Sequence, residues 1–226
     1  PPLATTIGED NLQSFINSGF NHMSVNPDRD AMQQLNKLGF INKGFPYYGW
    51  LIAITTVPLR IANHFGVKLL FYGEDGEVEY GGSVETSTNP IDDIEYIKRV
   101  YLEGGHSDLL VAAGLSNSAK ILFDFPWNLS EKSTNLDITH WSYFENWDPY
   151  RNYLVAKEFC GLKENDTTNS GTFTNFAQND QALYSLHAYM MYLKFGFGRA
   201  NQDASIEIRR GAMERNQAIN LVKLYD

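Results

Sequence analysis

Cysteine is almost missing from this sequence: Cys160 is the single thiol in 226 residues. One thiol excludes an internal disulfide framework and any multi-cysteine zinc site within the span. Cys160 stands in an apolar helical stretch with no base beside it, so it reads as packing and not as a nucleophile. Positive charge is scarce as well. Eighteen Lys and Arg against 27 Asp and Glu leave a net charge of −9, which argues against an electrostatic nucleic-acid binder. No apolar run approaches the length of a membrane span. The opening "PPLATTIGED" has neither the basic end nor the apolar stretch of a signal peptide, so a cytoplasmic location is expected. Walker-type and Gly-x-Ser-x-Gly loops are absent, and no internal repeat is visible. His22, His64, His106, His140 and His187 form no metal-ligand spacing and read as ordinary surface or core residues.

What is present is enough apolar material for a sizeable core, with 43% hydrophobic and 14% aromatic residues. In "EDNLQSFINSGF", Leu12, Phe15 and Ile16 share a helical face and Gly19 is placed to stop it. "NHMSV" reads as a short strand. "NPDRDAMQQLNKLGF" is a well-marked helix, with Asn26 as a cap, Pro27 in the first turn and Asp28 and Asp30 at the positive end of the dipole. Met32, Leu35 and Leu38 supply its apolar stripe and Gly39 its end. In "YYGWLIAITTVPLRIANHFG" Pro58 predicts a break, with a turn near Thr55 and Thr56 and a fresh helix from Pro58 to His64. "VKLLFYG" then reads as a buried strand.

Helix, strand, helix, strand at this spacing predicts an α/β fold, a parallel sheet with crossover helices. "DDIEYIKRVYLEGG" is a further helix, and residues 116–150 carry aromatics and turn residues with little periodicity. The last third predicts helices in "DPYRNYLVAKEFCG", "NDQALYSLHAYMMYLKFG", "DASIEIRRG" and "ERNQAINLVKLY", with a polar loop in "KENDTTNSGTFTN". The coarse division is an α/β part over residues 1–115 and a mainly helical part over 116–226.

Two stretches carry possible chemistry. "FYGEDGEVEYGG" follows the most strand-like segment with Glu74, Asp75, Glu77 and Glu79 and closes on Gly81 and Gly82. Ligands in parallel sheets sit beyond the carboxyl ends of strands, and hard oxygen ligands there suit magnesium with a phosphate. A solvated loop is the plainer account of the same residues. In "KFGFGRANQDASIEIRRG", amides at a helix start beside Arg199 could bind an anionic group. The competing account is a helix–turn–helix corner in which Arg199 pairs with a carboxylate. Trp141, Tyr143, Phe144, Trp147 and Tyr150 fit either a stacking platform or a core seam.

"SGFNHMSVNP", the stretch from "LNKLGF" through "VPLRIANHFGVKLLFYGEDGEVEYGG", and the tail "YLKFGFGRANQDASIEIRRGAMERNQAINLVKLYD" resemble the N-acetyl sugar amidotransferases of surface-polysaccharide and LPS biosynthesis. The resemblance runs in order over most of the chain. It implies an ATP pyrophosphatase of the PP-loop type with an adenine-nucleotide-hydrolase-like, Rossmann-like α/β domain. The implied reaction turns a sugar acetamido group into an acetamidino group. An amide carbonyl is a poor electrophile and its oxygen a poor leaving group, so ATP with Mg2+ would activate that oxygen before ammonia attacks. Ammonia is mostly protonated near neutral pH, which makes delivery from glutaminase and cyclase-like partner subunits reasonable. On this resemblance Glu74 and Glu77 are the expected catalytic and magnesium-binding residues. Tyr80, Gly81, Gly82, Arg199, Asp203, Glu207 and Arg209 are the expected substrate-binding residues.

The family's Ser-Gly-Gly-Lys-Asp-Ser type phosphate loop, and the cysteine pairs upstream of it, do not occur in these residues. The expectation is therefore that a first strand, the phosphate loop and its helix are missing from this span, and that the span alone does not turn over ATP. Two other classes compete. A glycoside hydrolase would use paired carboxylates without ATP. A non-catalytic sugar-nucleotide-binding or scaffold subunit would bind without turnover.

Overall fold

In the computed structural model, residues 3–73, 88–92, 94–102, 104–126 and 136–226 are described. In chain order the elements are α1 (Thr6–Asn17), α2 (Arg29–Lys43), α3 (Tyr48–His64) and β1 (Leu69–Tyr72). Next come α4 (Ile94–Tyr96, continuing as a π-helical turn, Ile97–Tyr101), α5 (Ser107–Ala112), α6 (Asn117–Lys120) and β2 (Asp137–His140). The chain closes with α7 (Pro149–Cys160), α8 (Tyr184–Phe195), α9 (Arg199–Arg209) and α10 (Arg215–Tyr225). These form two compact units, one of Val25–Trp147 and one of Pro1–Ser24 with Asp148–Asp226. Among the described residues, no helix is long and apolar enough to cross a membrane.

The unit Val25–Trp147 is built on the α2–α3 pair. Asp28, not Asn26, caps α2, its carboxylate accepting from the Ala31 amide at 2.8 Å. Gly39 does not end the helix. It lies where a Cβ would come within 2.2 Å of the Tyr48 Cβ, so glycine there lets α3 approach closely. The end falls at Gly44, whose φ of 65° is the left-handed conformation of a helix C-cap. Tyr48, Ile52 and Leu59 of α3 pack with Leu35, Ile97, Leu102, Phe123 and Ile138 in one apolar cluster. The Tyr48 hydroxyl leaves that cluster by donating to the Leu102 carbonyl at 2.8 Å.

The predicted break in α3 does not occur, and a single helix runs through Pro58. Proline removes the amide that would bond the Ile54 carbonyl. The Tyr72 hydroxyl, from β1, donates to that carbonyl at 3.2 Å instead. Thr55 and Thr56 do not form a turn. Their hydroxyls donate to the Leu51 and Ile52 carbonyls, both at 2.9 Å, as helical Ser and Thr commonly do.

The α/β expectation holds in part. The described residues are mostly helical, with one two-stranded parallel sheet, β1 beside β2, in the register Leu69–Asp137 to Tyr72–His140. "NHMSV" is not a strand. β1 is not buried on both faces either, since Leu69 and Phe71 are about half exposed. β2 comes from the stretch without periodicity.

In the other unit, α7 starts where its sequence announces it. Asp148 accepts from the Arg151 amide at 3.0 Å and Pro149 occupies the first turn. Ala200 and Ala204 of α9 and Ala218 of α10 are buried, and such small side chains let helices pack closely.

Candidate functional site

The C-terminal motif folds into a closed set of charged contacts. Helix α9 begins at Arg199, and its first amides have no partner inside the helix. The Asp226 carboxylate takes them: it accepts from the amides of Gly198 at 3.0 Å, Ala200 at 2.9 Å and Asn201 at 3.2 Å. Position 198 has to be glycine for this, because a Cβ there would stand 2.4 Å from Asp226 Oδ1. The seat that the sequence offers to an anion is thus filled by a carboxylate of the same chain.

Arg199 turns back along its own helix. Its Nε donates to Asp203 Oδ1 at 2.7 Å, and its Nη1 lies 3.4 Å from Gln202 Oε1. Asp203 Oδ2 accepts from the hydroxyl of Thr172, which is 0% exposed, at 2.7 Å. Both oxygens of Asp203 therefore have donors, one of them charged, and such bonds are about twice as strong as neutral ones. His187 of α8 lies close enough to feel this charge. Burial first, then the positive charges of Arg199 and Lys194, lower its pKa to about 4, so it is neutral at pH 7.

Further along α9, Glu207 Oε2 accepts from Arg210 Nε at 2.9 Å, and Arg210 Nη1 pairs with Asp148 Oδ2 at 2.9 Å. Burial pushes the Asp148 carboxyl up, but the Arg151 amide and the Arg210 guanidinium outweigh it and hold the group below its ordinary range. Arg199, Asp203 and Glu207 follow one another at i, i+4 and i+8 on one helix face. Arg209 lies apart from them and is exposed.

The second place of interest is the carboxyl edge of the small sheet. Glu74, Glu77, Tyr80, Gly81 and Gly82 lie outside the described residues. β1 ends at Tyr72, two positions before Glu74. Beside Tyr72, at the end of β2, stands His140, its ring stacked on the tyrosine at 5.4 Å. Its Nδ1 lies 2.9 Å from Asp92 Oδ2, and both side chains are nearly buried. The two atoms meet at ion-pair distance without the geometry of a hydrogen bond. Asp92 is placed by its own amide, which donates to the Ile138 carbonyl at 2.8 Å, and by the Thr139 hydroxyl bonding Pro90 O. Nothing in the sequence announces this pair, since only strand pairing brings position 92 to position 140. Among the described residues, no group of three or more His, Cys, Asp or Glu is placed to hold a metal ion.

Residues 170–226 match the family model described as LPS biosynthesis protein WbpG-like, C-terminal domain. The WbpG-like segment takes in α8, α9 and α10, and with them Thr172, His187, Arg199, Asp203, Glu207 and Asp226. The charge network is therefore a feature of that segment, with a link to Asp148 outside it. No curated protein matches the chain.

Proposed function

We propose that this chain belongs to an ATP-dependent amidotransferase of LPS or related surface-polysaccharide biosynthesis, converting the acetamido group of a sugar to an acetamidino group in the cytoplasm. The match of residues 170–226 to the WbpG-like C-terminal domain carries the reading. The ordered sequence motifs and the parallel pairing of β1 with β2 support it. On this reading ammonia comes from glutaminase and cyclase-like partner subunits.

The described residues do not fit a bound nucleotide phosphate or magnesium ion. Asp226 takes the amides of Gly198, Ala200 and Asn201, Arg199 is engaged by Asp203, and no metal-holding cluster occurs among the described residues. Magnesium is assigned, on the resemblance alone, to Glu74 and Glu77, and substrate contacts to Tyr80, Gly81 and Gly82, all outside the described residues. For Arg199, Asp203 and Glu207 the contacts favour a role in fixing the helical unit. Arg209, exposed on α9, keeps the substrate-binding role that the resemblance implies.

The test is the protein carrying the family's phosphate loop, supplied with ammonium, Mg2+-ATP and a panel of acetamido sugars. Formation of AMP and pyrophosphate in step with sugar consumption is the expected result. Sugar binding with no AMP from any substrate would favour the non-catalytic sugar-binding subunit, which the closed α9 network also suits.

A further inference from the structure

Helix α8, with the sequence YSLHAYMMYLKF, is apolar almost all round: Lys194 is its one full charge, and His187 is neutral at pH 7. A helix of that kind is normally buried on every side. The inner side of α8 meets that rule. Tyr184 and Ala188 are buried, and Gly171 of the preceding loop comes so close that a Cβ there would stand 3.4 Å from the Ala188 Cβ. The outer side does not. At about 100° per residue, Leu186, Tyr189, Tyr192 and Leu193 form one stripe about 120° wide. Tyr189 is 59% exposed and Leu193 57%, with Tyr192 and Leu186 exposed beside them.

A whole aromatic side chain presents about 200 Å², so these four leave about 400 Å² of largely apolar surface in one patch. Exposed leucines scattered singly mean little, but a contiguous patch of this size marks a contact surface. A standard interface takes about 800 Å² from each partner, about 65% of it apolar where identical chains meet. The stripe, with the half-buried Met190 at its flank, supplies most of that apolar core. It is also uncharged, in a chain whose net charge of −9 makes copies repel elsewhere. No charge on the face is there to select an unlike partner.

We infer that the outer face of α8 is the contact surface of a homodimer, two copies packing α8 against α8 antiparallel about a two-fold axis. The residues are spaced for this. Leu186 and Leu193 lie equally far from the midpoint between Tyr189 and Met190. An axis there sets Leu186 against the partner's Leu193 and brings the two Tyr189 rings together at the centre. Ser185 then faces the partner's Lys194, and the two lysines stay about 13 Å apart along the helices. A parallel pairing would bring the two lysines together. Tyrosine suits such a place, because its ring is buried while its hydroxyl reaches water at the rim. Four side chains from each copy make a small interface, so the expected affinity is micromolar.

The test is sedimentation equilibrium of the 226-residue chain across micromolar concentrations. A reversible shift from 25.7 kDa to twice that mass is expected. Leu193→Lys should weaken the association at least about tenfold, with the circular dichroism spectrum and thermal midpoint of the monomer unchanged, because the side chain is exposed. Val111→Lys, 80% exposed on α5, should leave the association as it is. Cross-linking in a Cys160→Ser background reads the register. Leu186→Cys mixed with Leu193→Cys should give a disulfide-linked dimer on mild oxidation. Neither variant should link to itself, since like positions lie about 10 Å apart. A chain monomeric throughout, which would hand the face to an unlike partner, overturns the proposal, as does a dimer indifferent to Leu193→Lys. Self-linking of either cysteine variant would overturn the antiparallel packing.

Discussion

The Asp226 carboxylate on the start of α9 is the contact most open to measurement. Asp226→Ala leaves the amides of Gly198, Ala200 and Asn201 to water. Loss of an N-cap costs about 0.5–2 kcal/mol, and loss of a negative charge at a helix start about 0.3–1 kcal/mol. Asp226 is exposed, which places the total near 2 kcal/mol, or roughly 4–8 °C in thermal midpoint for a chain of this size. Gly198→Ala should cost about as much, because its Cβ would sit 2.4 Å from Asp226 Oδ1 and expel the same carboxylate. The decisive experiment is the double variant. If both act through one contact, Gly198→Ala costs almost nothing once Asp226 is Ala, and the coupling energy approaches the single-variant loss. Trp50, Trp127, Trp141 and Trp147 all precede residue 148, so tryptophan fluorescence reports the other unit. Far-UV circular dichroism and hydrogen exchange at the Ala200 and Asn201 amides are the suitable readouts. Additive losses, or an Asp226→Ala variant as stable as wild type, would refute the reasoning.

Three further outcomes are expected. Tyr72→Phe should cost about 1 kcal/mol by orphaning the Ile54 carbonyl, and much less in a Pro58→Ala background, where residue 58 regains an amide for that carbonyl; urea melts followed by tryptophan fluorescence compare the two backgrounds, and equal costs would count against the contact. His187 has a folded pKa near 4 against 6.5 unfolded, so the stability tied to its neutral form is present above pH 6.5 and drains away as pH falls from 6.5 to 4. His187→Gln should flatten that part of the stability–pH curve; His106, lowered by burial, contributes in the same direction and leaves a residual slope. On the proposed amidotransferase reading, in a protein carrying the family's phosphate loop, Glu74→Gln or Glu77→Gln should lower ATP-dependent activity by orders of magnitude with the thermal midpoint unchanged, and wild-type rates in both would remove them from the proposed magnesium site.

The elements legible in the sequence are those whose signals are local. Helix α7 is marked by Asp148 and Pro149 at its start and Gly161 just past its end, and α2 by the apolar spacing of Met32, Leu35 and Leu38. Such signals act within a few residues, so they survive reading without a fold. Where tertiary contacts compete with a local rule, the rule fails. Pro58 breaks an isolated helix, yet α3 continues because Tyr72 satisfies the carbonyl that proline orphans. Gly39 reads as a stop, yet it is the contact point with Tyr48. "DITH" is too short for a period, and it becomes β2 only because β1 offers it a ladder.

The candidate sites divide the same way. Arg199, Asp203 and Glu207 were picked out by the resemblance in the tail, and their i, i+4, i+8 spacing on one face appears once α9 is formed. Their partners were not: Thr172 stands 31 positions from Asp203, and Asp226 stands 26 from Ala200. Asp92 meets His140 only across the sheet, and Asn179 meets Thr5 only when residues 161–183 fold against the start of the chain. Composition, the start of α7 and the resemblance in the tail were thus set by the order of residues alone. Which carboxylate fills which amide cradle, and which polar group is left wanting a partner, was decided by contacts between segments far apart in the chain, where sequence spacing carries no information about distance.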